Sequence, residues 1–250
     1  MQSFTLLAGA LLLFSTGCVQ YHYSPNFIST PFIDKKNDGM LSAAVSGSPV
    51  SVNGDFHASY SPVKHGIVAL NYFRTSSSFT QTNFLGVPNY TQTTKGNLLE
   101  ASIGAYRPIS FGTGALLVGW GQGRVRNDYG IGRIADLRLQ RFFVQPSFTF
   151  KNSWFRLGMG LRLVRLHFPS GEVDYRIEPG QIETIQRLEQ KTPFWFPEFG
   201  GNIGFHFKPI TISAHLVLLA SGAPTDYGFD GSNIGLGITF ELQEMFKKKK

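Results

Sequence analysis

The sequence has no long apolar run, few charged residues and a single cysteine. No uninterrupted apolar stretch reaches the roughly 18 residues that a membrane-spanning helix needs, which excludes a helical membrane protein. Charged residues make up 16% of the 250 residues, well below the roughly 25% of an ordinary soluble domain. The many aromatic residues, 14% of the chain, must be buried somewhere, which excludes a disordered chain. A soluble β-protein and a membrane β-barrel remain.

The positive charge of the chain is concentrated at its end. The formal net charge is +7, and Lys247, Lys248, Lys249 and Lys250 supply four of these charges. Lysine and arginine do not cluster elsewhere as a nucleic-acid-binding surface requires. We therefore expect no nucleic-acid partner and interpret residues 247–250 as a solvated basic tail, with contact to anionic lipid as the alternative.

The amino terminus has the organisation of an export signal. Residues 4–14 form an apolar segment of the length typical of the h-region of a secretory signal. They are followed by Ser15, Thr16, Gly17 and Cys18. A lone thiol in an exported protein cannot form an internal disulfide. The alternative, a cysteine buried in a strand, leaves the apolar segment unexplained.

The run from Ser15 to Cys18 resembles a bacterial lipobox, although residues 1–3 contain no Lys or Arg. The resemblance implies a lipoprotein signal peptide over residues 1–17 and covalent diacylglycerol and acyl chains, such as palmitate, on Cys18. Each buried CH₂ of such chains contributes about 0.8 kcal/mol, so two or three chains anchor a protein firmly. No other cofactor is expected.

After a polar stretch over residues 18–38, interpreted as an extended tether, the hydrophobic period changes to two. Ten alternating runs follow within residues 39–246, each long enough to cross a bilayer as a tilted strand of roughly nine to eleven residues. The short turns lie near residues 62–64, 108–112, 151–152 and 208–209, and the longer links near 75–96, 126–133, 169–194 and 220–231. This alternation predicts an all-β, antiparallel, up-and-down transmembrane barrel of about ten strands, with eight as the alternative.

Glycine distinguishes a membrane barrel from a soluble one here. One face of the runs is nearly all Leu, Ile, Val, Phe and Ala, and the other is rich in Gly and polar residues. A solvent-exposed face has no reason to be rich in glycine, whereas a narrow lumen needs small residues between arginines and tyrosines. We therefore expect a lumen filled by side chains. The predicted polar network of the lumen comprises Asp55, His57, Glu100, Asp136, Arg138, Arg156, Arg162 and His206.

The last run resembles the β-signal by which the insertion machinery recognises outer-membrane barrels. The matching residues are Asn233, Gly235, Ile238 and Phe240. Together with the lipobox and the ten runs, they make the chain similar to small lipid-anchored outer-membrane β-barrels of the Bacteroidota type. The resemblance implies a bacterial outer-membrane location and contact with the insertion machinery during biogenesis. It also implies that the first strand begins and the last strand ends on the periplasmic side. Because no acidic run follows Cys18, it also implies a lipid retained in the inner leaflet.

Motifs that carry chemistry are not found. The sequence has no Gly-x-Ser-x-Gly elbow, no His-x-His pair and no His-Glu-x-x-His helix, so no catalytic residue or metal ligand is predicted. His167 and Glu172, at the root of a long link, are the remaining candidates for an acid/base pair.

We expect a non-enzymatic barrel that serves as a structural or accessory subunit of a larger envelope assembly, in contact with outer-membrane lipid and a protein partner. The first alternative is an outer-membrane hydrolase acting on lipid or peptide. The second is a membrane barrel that binds a ligand or glycan through its outer loops at residues 76–96 and 169–193. The third is a soluble, lipid-tethered barrel that binds a ligand.

Overall fold

The computed structural model describes most of the chain after the predicted signal. The described residues are 21–48, 51–82, 88–130, 132–174, 177, 179–191, 193–220 and 227–245. The predicted signal peptide, Cys18 and the lysine tail lie outside them. Neither described helix has the length and apolar character needed to cross a membrane.

Ten antiparallel strands form a closed barrel. The strands are β1 (Gly39–Gly47), β2 (Val52–Tyr60), β3 (Gly66–Thr82), β4 (Pro88–Ile109), β5 (Gly112–Asp128), β6 (Ile134–Lys151), β7 (Phe155–Val173), β8 (Phe194–Phe207), β9 (Ile210–Leu219) and β10 (Ser232–Glu241). Each pairs with its neighbours in sequence, and β1 pairs with β10 from Met40↔Glu241 to Gly47↔Ile234. The predicted ten-stranded up-and-down barrel is confirmed, and the alternative of eight strands is wrong.

The central strands are longer than the sequence predicted. Strands β3 to β7 have 17 to 22 residues, whereas β1 and β2 have 9 each. Much of the predicted loop at 76–96 is the upper part of the β3–β4 hairpin, paired from Ser76↔Lys95 to Thr82↔Pro88. The predicted link at 169–194 contains the end of β7 and helix α1 (Pro179–Lys191). A four-residue helix α2 (Leu242–Met245) follows β10.

The two ends of the barrel differ, and we name them by their connections. At the short-turn end lie the turns that join β2 to β3, β4 to β5, β6 to β7 and β8 to β9. At the long-loop end lie the added lengths of β3 to β7, helix α1 and the described residues between β9 and β10. Both β1 and β10 meet the short-turn end, where Gly39 begins β1 and Glu241 ends β10.

Apolar side chains of the strands point away from the barrel interior over its central part. Val45, Ile103 and Leu236 are each 68% exposed, and Trp120 is 50% exposed. A soluble barrel has the opposite arrangement, with its apolar face inside. An apolar surface of this extent in a monomer marks a membrane or protein contact.

Two of the predicted lumen residues, both on strand β6, do not face the lumen. Asp136 and Arg138 point outward, whereas Leu137 and Leu139 are buried inside the barrel. The prediction assumed that the apolar face of every run contacts lipid. At the long-loop end the rule is reversed, because the outward face there carries polar side chains and the interior there is an apolar core.

The segment before β1, interpreted from the sequence as an extended tether, lies inside the barrel. Nearly every side chain from Tyr21 to Ile33 is buried. Tyr23 bridges to Phe229 between β9 and β10, at the long-loop end. Ile33 packs with residues near the short turns, among them Ile67. The segment therefore runs through the lumen from the long-loop end to the short-turn end, where β1 begins. We call residues 21–34 the lumen segment.

Candidate functional site: the occupied lumen

Arg141 of β6 is at the centre of the polar network that holds the lumen segment. Its side chain is fully buried. The guanidinium donates from Nε to Glu100 Oε1 at 2.7 Å, from Nη1 to the Tyr23 hydroxyl at 2.5 Å and from Nη2 to Asn26 Oδ1 at 2.5 Å. The Tyr23 hydroxyl in turn donates to Glu198 Oε1 at 2.5 Å. One strand arginine thus donates hydrogen bonds to two side chains of the lumen segment and to one strand carboxylate.

Arg162 of β7 makes a second set of contacts with the same segment. It donates from Nη1 to Asn26 Oδ1 at 2.7 Å and to Glu198 Oε2 at 3.1 Å, and from Nη2 to the Phe27 carbonyl at 3.0 Å. Its Nε donates to Gln145 Oε1 at 2.9 Å, and the Gln145 amide donates to the carbonyl of Ser29 at 2.5 Å. The network therefore fixes the backbone of the lumen segment as well as its side chains.

The centre of this network is balanced in charge. Arg141 and Arg162 face the carboxylates of Glu100 and Glu198, and all four side chains are almost fully buried. Asn26 accepts from both arginines and donates to Glu100 Oε2 at 2.8 Å. Buried ions are tolerated only when they are paired and hydrogen-bonded. This arrangement meets both conditions by using a side chain of the lumen segment as the link.

Several of the predicted lumen residues lie in or beside this network. Glu100 and Arg162 lie in its centre, and Asp55 and His57 of β2 face the interior, where His57 Nε2 lies 2.6 Å from the Ser29 hydroxyl. Arg141, Glu198 and Asn26 were missed. Arg141 is in phase with the interior residues Leu137 and Leu139, and a continuous period of two along β6 would have located it.

Arg156 and His206, the other two predicted residues, form a separate cluster at the short-turn end. Arg156 Nε donates to Glu241 Oε1 at 2.6 Å, and His206 Nε2 lies 3.0 Å from Glu244 Oε2. The donor atoms of His206, Glu241 and Glu244 lie within 4.8 Å of one another, as metal ligands would. The Arg156 guanidinium already neutralises Glu241, so the cluster fits a hydrogen-bonded contact between β7, β8, β10 and α2 better than a cation site.

Two glycines of β7 make room for the lumen segment. A Cβ on Gly158 would lie 2.1 Å from the Thr30 hydroxyl oxygen, and one on Gly160 would lie 2.7 Å from a methyl carbon of Ile28. The sequence reasoning assigned glycine to a crowded lumen. The crowding comes from the chain's own amino-terminal segment as well as from strand side chains.

The space left beside the lumen segment is small. A cavity of about 40 Å³ lies between Phe27 and Thr30 of the segment and Asp55, His57 and Asn202 of the strands. Its wall is mostly apolar but includes these polar side chains, and it is large enough for one or two water molecules. It is too small to hold an organic ligand or to pass solutes. Among the described residues, neither carboxylate oxygen of Asp55 has a hydrogen-bond partner, which fits water in this cavity.

The predicted acid/base pair does not form. His167 and Glu172 lie on the same strand, β7, five positions apart. At roughly 3.3 Å per residue their Cα atoms are about 16 Å apart, too far for the direct hydrogen bond that an acid/base pair needs. Of the β-signal residues, Asn233 and Gly235 face the lumen, and Ile238 and Phe240 face outward. Asn233 also donates to the Pro25 carbonyl at 2.8 Å, so the last strand contacts the lumen segment directly.

No known protein family matches the sequence, and no curated protein matches it. Among solved structures, the chain is similar to CdiB from Acinetobacter baumannii, with 10% sequence identity and a TM-score of 0.29. The match covers 83% of this chain and 60% of the CdiB chain. A likeness this weak carries no functional argument, so the proposal below is based on the geometry of the chain itself.

Proposed function

We propose that this protein is a lipid-anchored outer-membrane barrel with a closed lumen, and that it serves as a non-enzymatic structural or accessory subunit of a larger envelope assembly. The occupied lumen carries this proposal. The chain fills its own interior with residues 21–34, which leaves no path for solutes and no catalytic cleft among the described residues. What remains for function is the outer surface and the two ends.

The outward apolar belt supports the membrane location. Long exposed apolar side chains occur on every strand, for example Phe56, Leu116, Leu161 and Ile212. They form the lipid-facing surface that an outer-membrane barrel needs. The aromatic residues Tyr72, Trp120 and Trp195 lie toward its long-loop margin, where aromatic side chains fit the membrane interface.

The course of the lumen segment supports a position of the lipid that differs from the sequence prediction. The hydroxyl groups of Tyr21 and Thr75 of β3 form a hydrogen bond at 2.7 Å, and the backbone N–H of His22 donates to the Gly228 carbonyl at 2.8 Å. Cys18 is three residues before Tyr21, and three extended residues span at most about 10 Å. The long connections of outer-membrane barrels are extracellular. A lipid on Cys18 therefore fits the outer leaflet, and the inner-leaflet position predicted from the sequence does not fit this path.

Epitope accessibility on intact cells tests the orientation. One variant carries an epitope directly after Cys18, and the matched control carries the same epitope after Lys250, beyond the helix at the short-turn end. We expect antibody to label the first variant on intact cells and the second only after the outer membrane is permeabilised. The reverse pattern contradicts the proposed orientation.

Purification tests the accessory role. Crosslinking in intact cells followed by extraction in mild detergent is expected to recover the barrel with a defined protein partner in constant ratio. Migration as a lone barrel under every extraction condition contradicts the role as a subunit. Mass spectrometry of the purified amino terminus, compared with a Cys18→Ala variant, tests lipidation separately.

A further inference from the structure

Basic side chains form a band on the outside of the barrel directly beyond the apolar belt, at the long-loop end. They lie on five adjacent strands, β3 to β7, and all are exposed. The band consists of Arg74, Lys95, Arg124, Arg126, Arg138 and Arg165. Described acidic residues on or beside the same outward surface are fewer, namely Asp128, Asp136, Glu172 and Asp174.

The strand register concentrates part of this charge. Arg74 pairs in register with Asn97, Asn97 with Arg124, and Arg124 with Arg138. Residues directly opposite on adjacent antiparallel strands have Cβ atoms roughly 4.5–5.5 Å apart, and like charges in such positions destabilise a sheet. Arg124 has an ion pair with Asp136. Across the described part of the chain, Arg138 has no carboxylate partner, so ion pairing within the fold does not explain its place opposite Arg124.

A concave site of about 570 Å³ on the outer surface is lined by both of these arginines. The amides of Asn97, Gln122 and Gln140 line it, and Leu99 lies at its lower side, toward the apolar belt. Pro169 and Ser170 form another wall at the position where the β6–β7 register shifts between Arg138 and Gln140. A β-bulge of this kind redirects side chains locally and often accompanies a binding site.

We propose that this site binds the head group of a phosphorylated glycolipid of the outer leaflet, a proposal that rests on the outer-membrane location given above. Arg124 and Arg138 supply charge-assisted hydrogen bonds for a phosphate group. The three amides supply donors and acceptors for sugar hydroxyls. Leu99 and the belt below it receive the first carbons of the acyl chains.

The continuity of the site with the apolar belt favours a lipid over a soluble anion or an acidic protein. A phosphate held between the two arginines lies at the height of the lipid head groups, since the apolar residues Trp120 and Phe142 lie on the same outward faces within four residues of Arg124 and Arg138. A free phosphate ion would use only the arginines and would leave the amides and Leu99 without a role.

Equilibrium binding to the purified full-length barrel in detergent tests the proposal. The probes are a bisphosphorylated glucosamine-disaccharide lipid, its dephosphorylated form and inorganic phosphate. We expect the phosphorylated lipid to bind at least tenfold more tightly than the dephosphorylated lipid, and at least a hundredfold more tightly than inorganic phosphate. We also expect its affinity to fall as ionic strength rises. Equal binding of both lipids, or equal binding of inorganic phosphate and the phosphorylated lipid, overturns the proposal.

The variant Arg124→Gln/Arg138→Gln is expected to lose at least tenfold in affinity for the phosphorylated lipid. Arg107→Gln, which removes an exposed outward arginine at the opposite end of β4, is the matched control and is expected to bind as the unmodified protein does. Heat-modifiable gel migration verifies that each barrel is folded. Equal loss in both variants contradicts the site. The measurement uses isolated protein, so its outcome is independent of the orientation and partner experiments.

Discussion

Single residues hold the lumen segment in place because the buried charges at the centre of the network are paired. Arg141 is the clearest case, since it contacts Glu100 of β4 and both Tyr23 and Asn26 of the lumen segment. Removal of one partner from a buried ion pair leaves an uncompensated charge, which costs more than the pair itself contributes.

Arg141→Met is therefore expected to lower the free energy of unfolding by about 3–5 kcal/mol, because it leaves Glu100 and Glu198 buried with one arginine between them. The measurement is the denaturant dependence of heat-modifiable migration. Arg187→Met serves as the control, since its ion pair with Glu183 is on the surface of α1 and such pairs contribute less than about 1 kcal/mol. Arg141→Met/Glu100→Gln should recover part of the loss. A single variant as stable as the unmodified barrel argues against the network.

Gly158 is expected to be sensitive to a single added carbon. Gly158→Ala brings a Cβ against the Thr30 hydroxyl, and overpacking of this kind costs about 1–3 kcal/mol. Gly114→Ala is the matched control, because a Cβ there meets nothing within 4 Å. Limited proteolysis of the amino-terminal segment gives a second readout, with faster cleavage in Gly158→Ala alone. Similar behaviour of the two variants would place the segment elsewhere.

The lumen segment is the element that distinguishes this barrel from an empty one. Its long-loop part packs in an aromatic core in which the Tyr23 ring lies 5.4 Å from the Phe196 ring and 5.3 Å from the Phe229 ring. Its short-turn part is fixed by Lys151 of β6, whose Nζ lies 3.0 Å from an Asp34 carboxylate oxygen. The segment is thus held at both ends and at the centre.

Deletion of residues 21–34 is expected to open the barrel. The lumen loses its filling and Arg141 and Arg162 lose their partner Asn26, so water and ions can enter. Conductance in planar bilayers should rise from none to a measurable value, and the barrel should unfold at a lower temperature. Substitution of the exposed residue Lys36 by Ala, in the turn after the segment, is the control and should conduct nothing. A folded deletion variant without conductance contradicts the assigned path.

The turn between the lumen segment and β1 is expected to respond to pH. Burial, together with the neighbouring Asp34 carboxyl, raises the pKa of Asp38 to about 6. A carboxyl whose pKa is raised by folding stabilises the folded state while it is protonated, so this contribution is present below about pH 4 and is lost as pH rises through 6. Asp38→Asn should flatten the decrease in unfolding temperature between pH 4 and pH 7. An unchanged pH profile in this variant contradicts the assignment.

At the scale of the whole molecule, one barrel wall separates three environments. The outward apolar belt fits lipid, the interior holds charged and aromatic side chains around residues 21–34, and the outward surface of β3 to β7 beyond the belt is basic. The surroundings of a strand's side chains therefore change along its length. Strand β5 shows this well, since Trp120 and Arg124 are both outward, two alternations apart.

Much of this arrangement could be predicted because it is local. The strand count follows from runs with a period of two and from the alternation of short and long connections. Glu100 and Arg162 were identified because they lie on the polar face of such runs. Asp136 and Arg138 were misplaced because the same alternation continues past the apolar belt, where polar residues face outward.

The sequence by itself determined the ten strands, the outward apolar belt and the crowding of the lumen by small residues, because backbone pleating assigns alternate side chains to opposite faces of a strand. Only the tertiary structure decided what fills the lumen, at which end of the barrel the lumen segment begins, and which arginines meet across adjacent strands. These properties depend on contacts such as that of Asn26 with Arg141, between residues more than a hundred positions apart, and no local pattern encodes which distant residues meet.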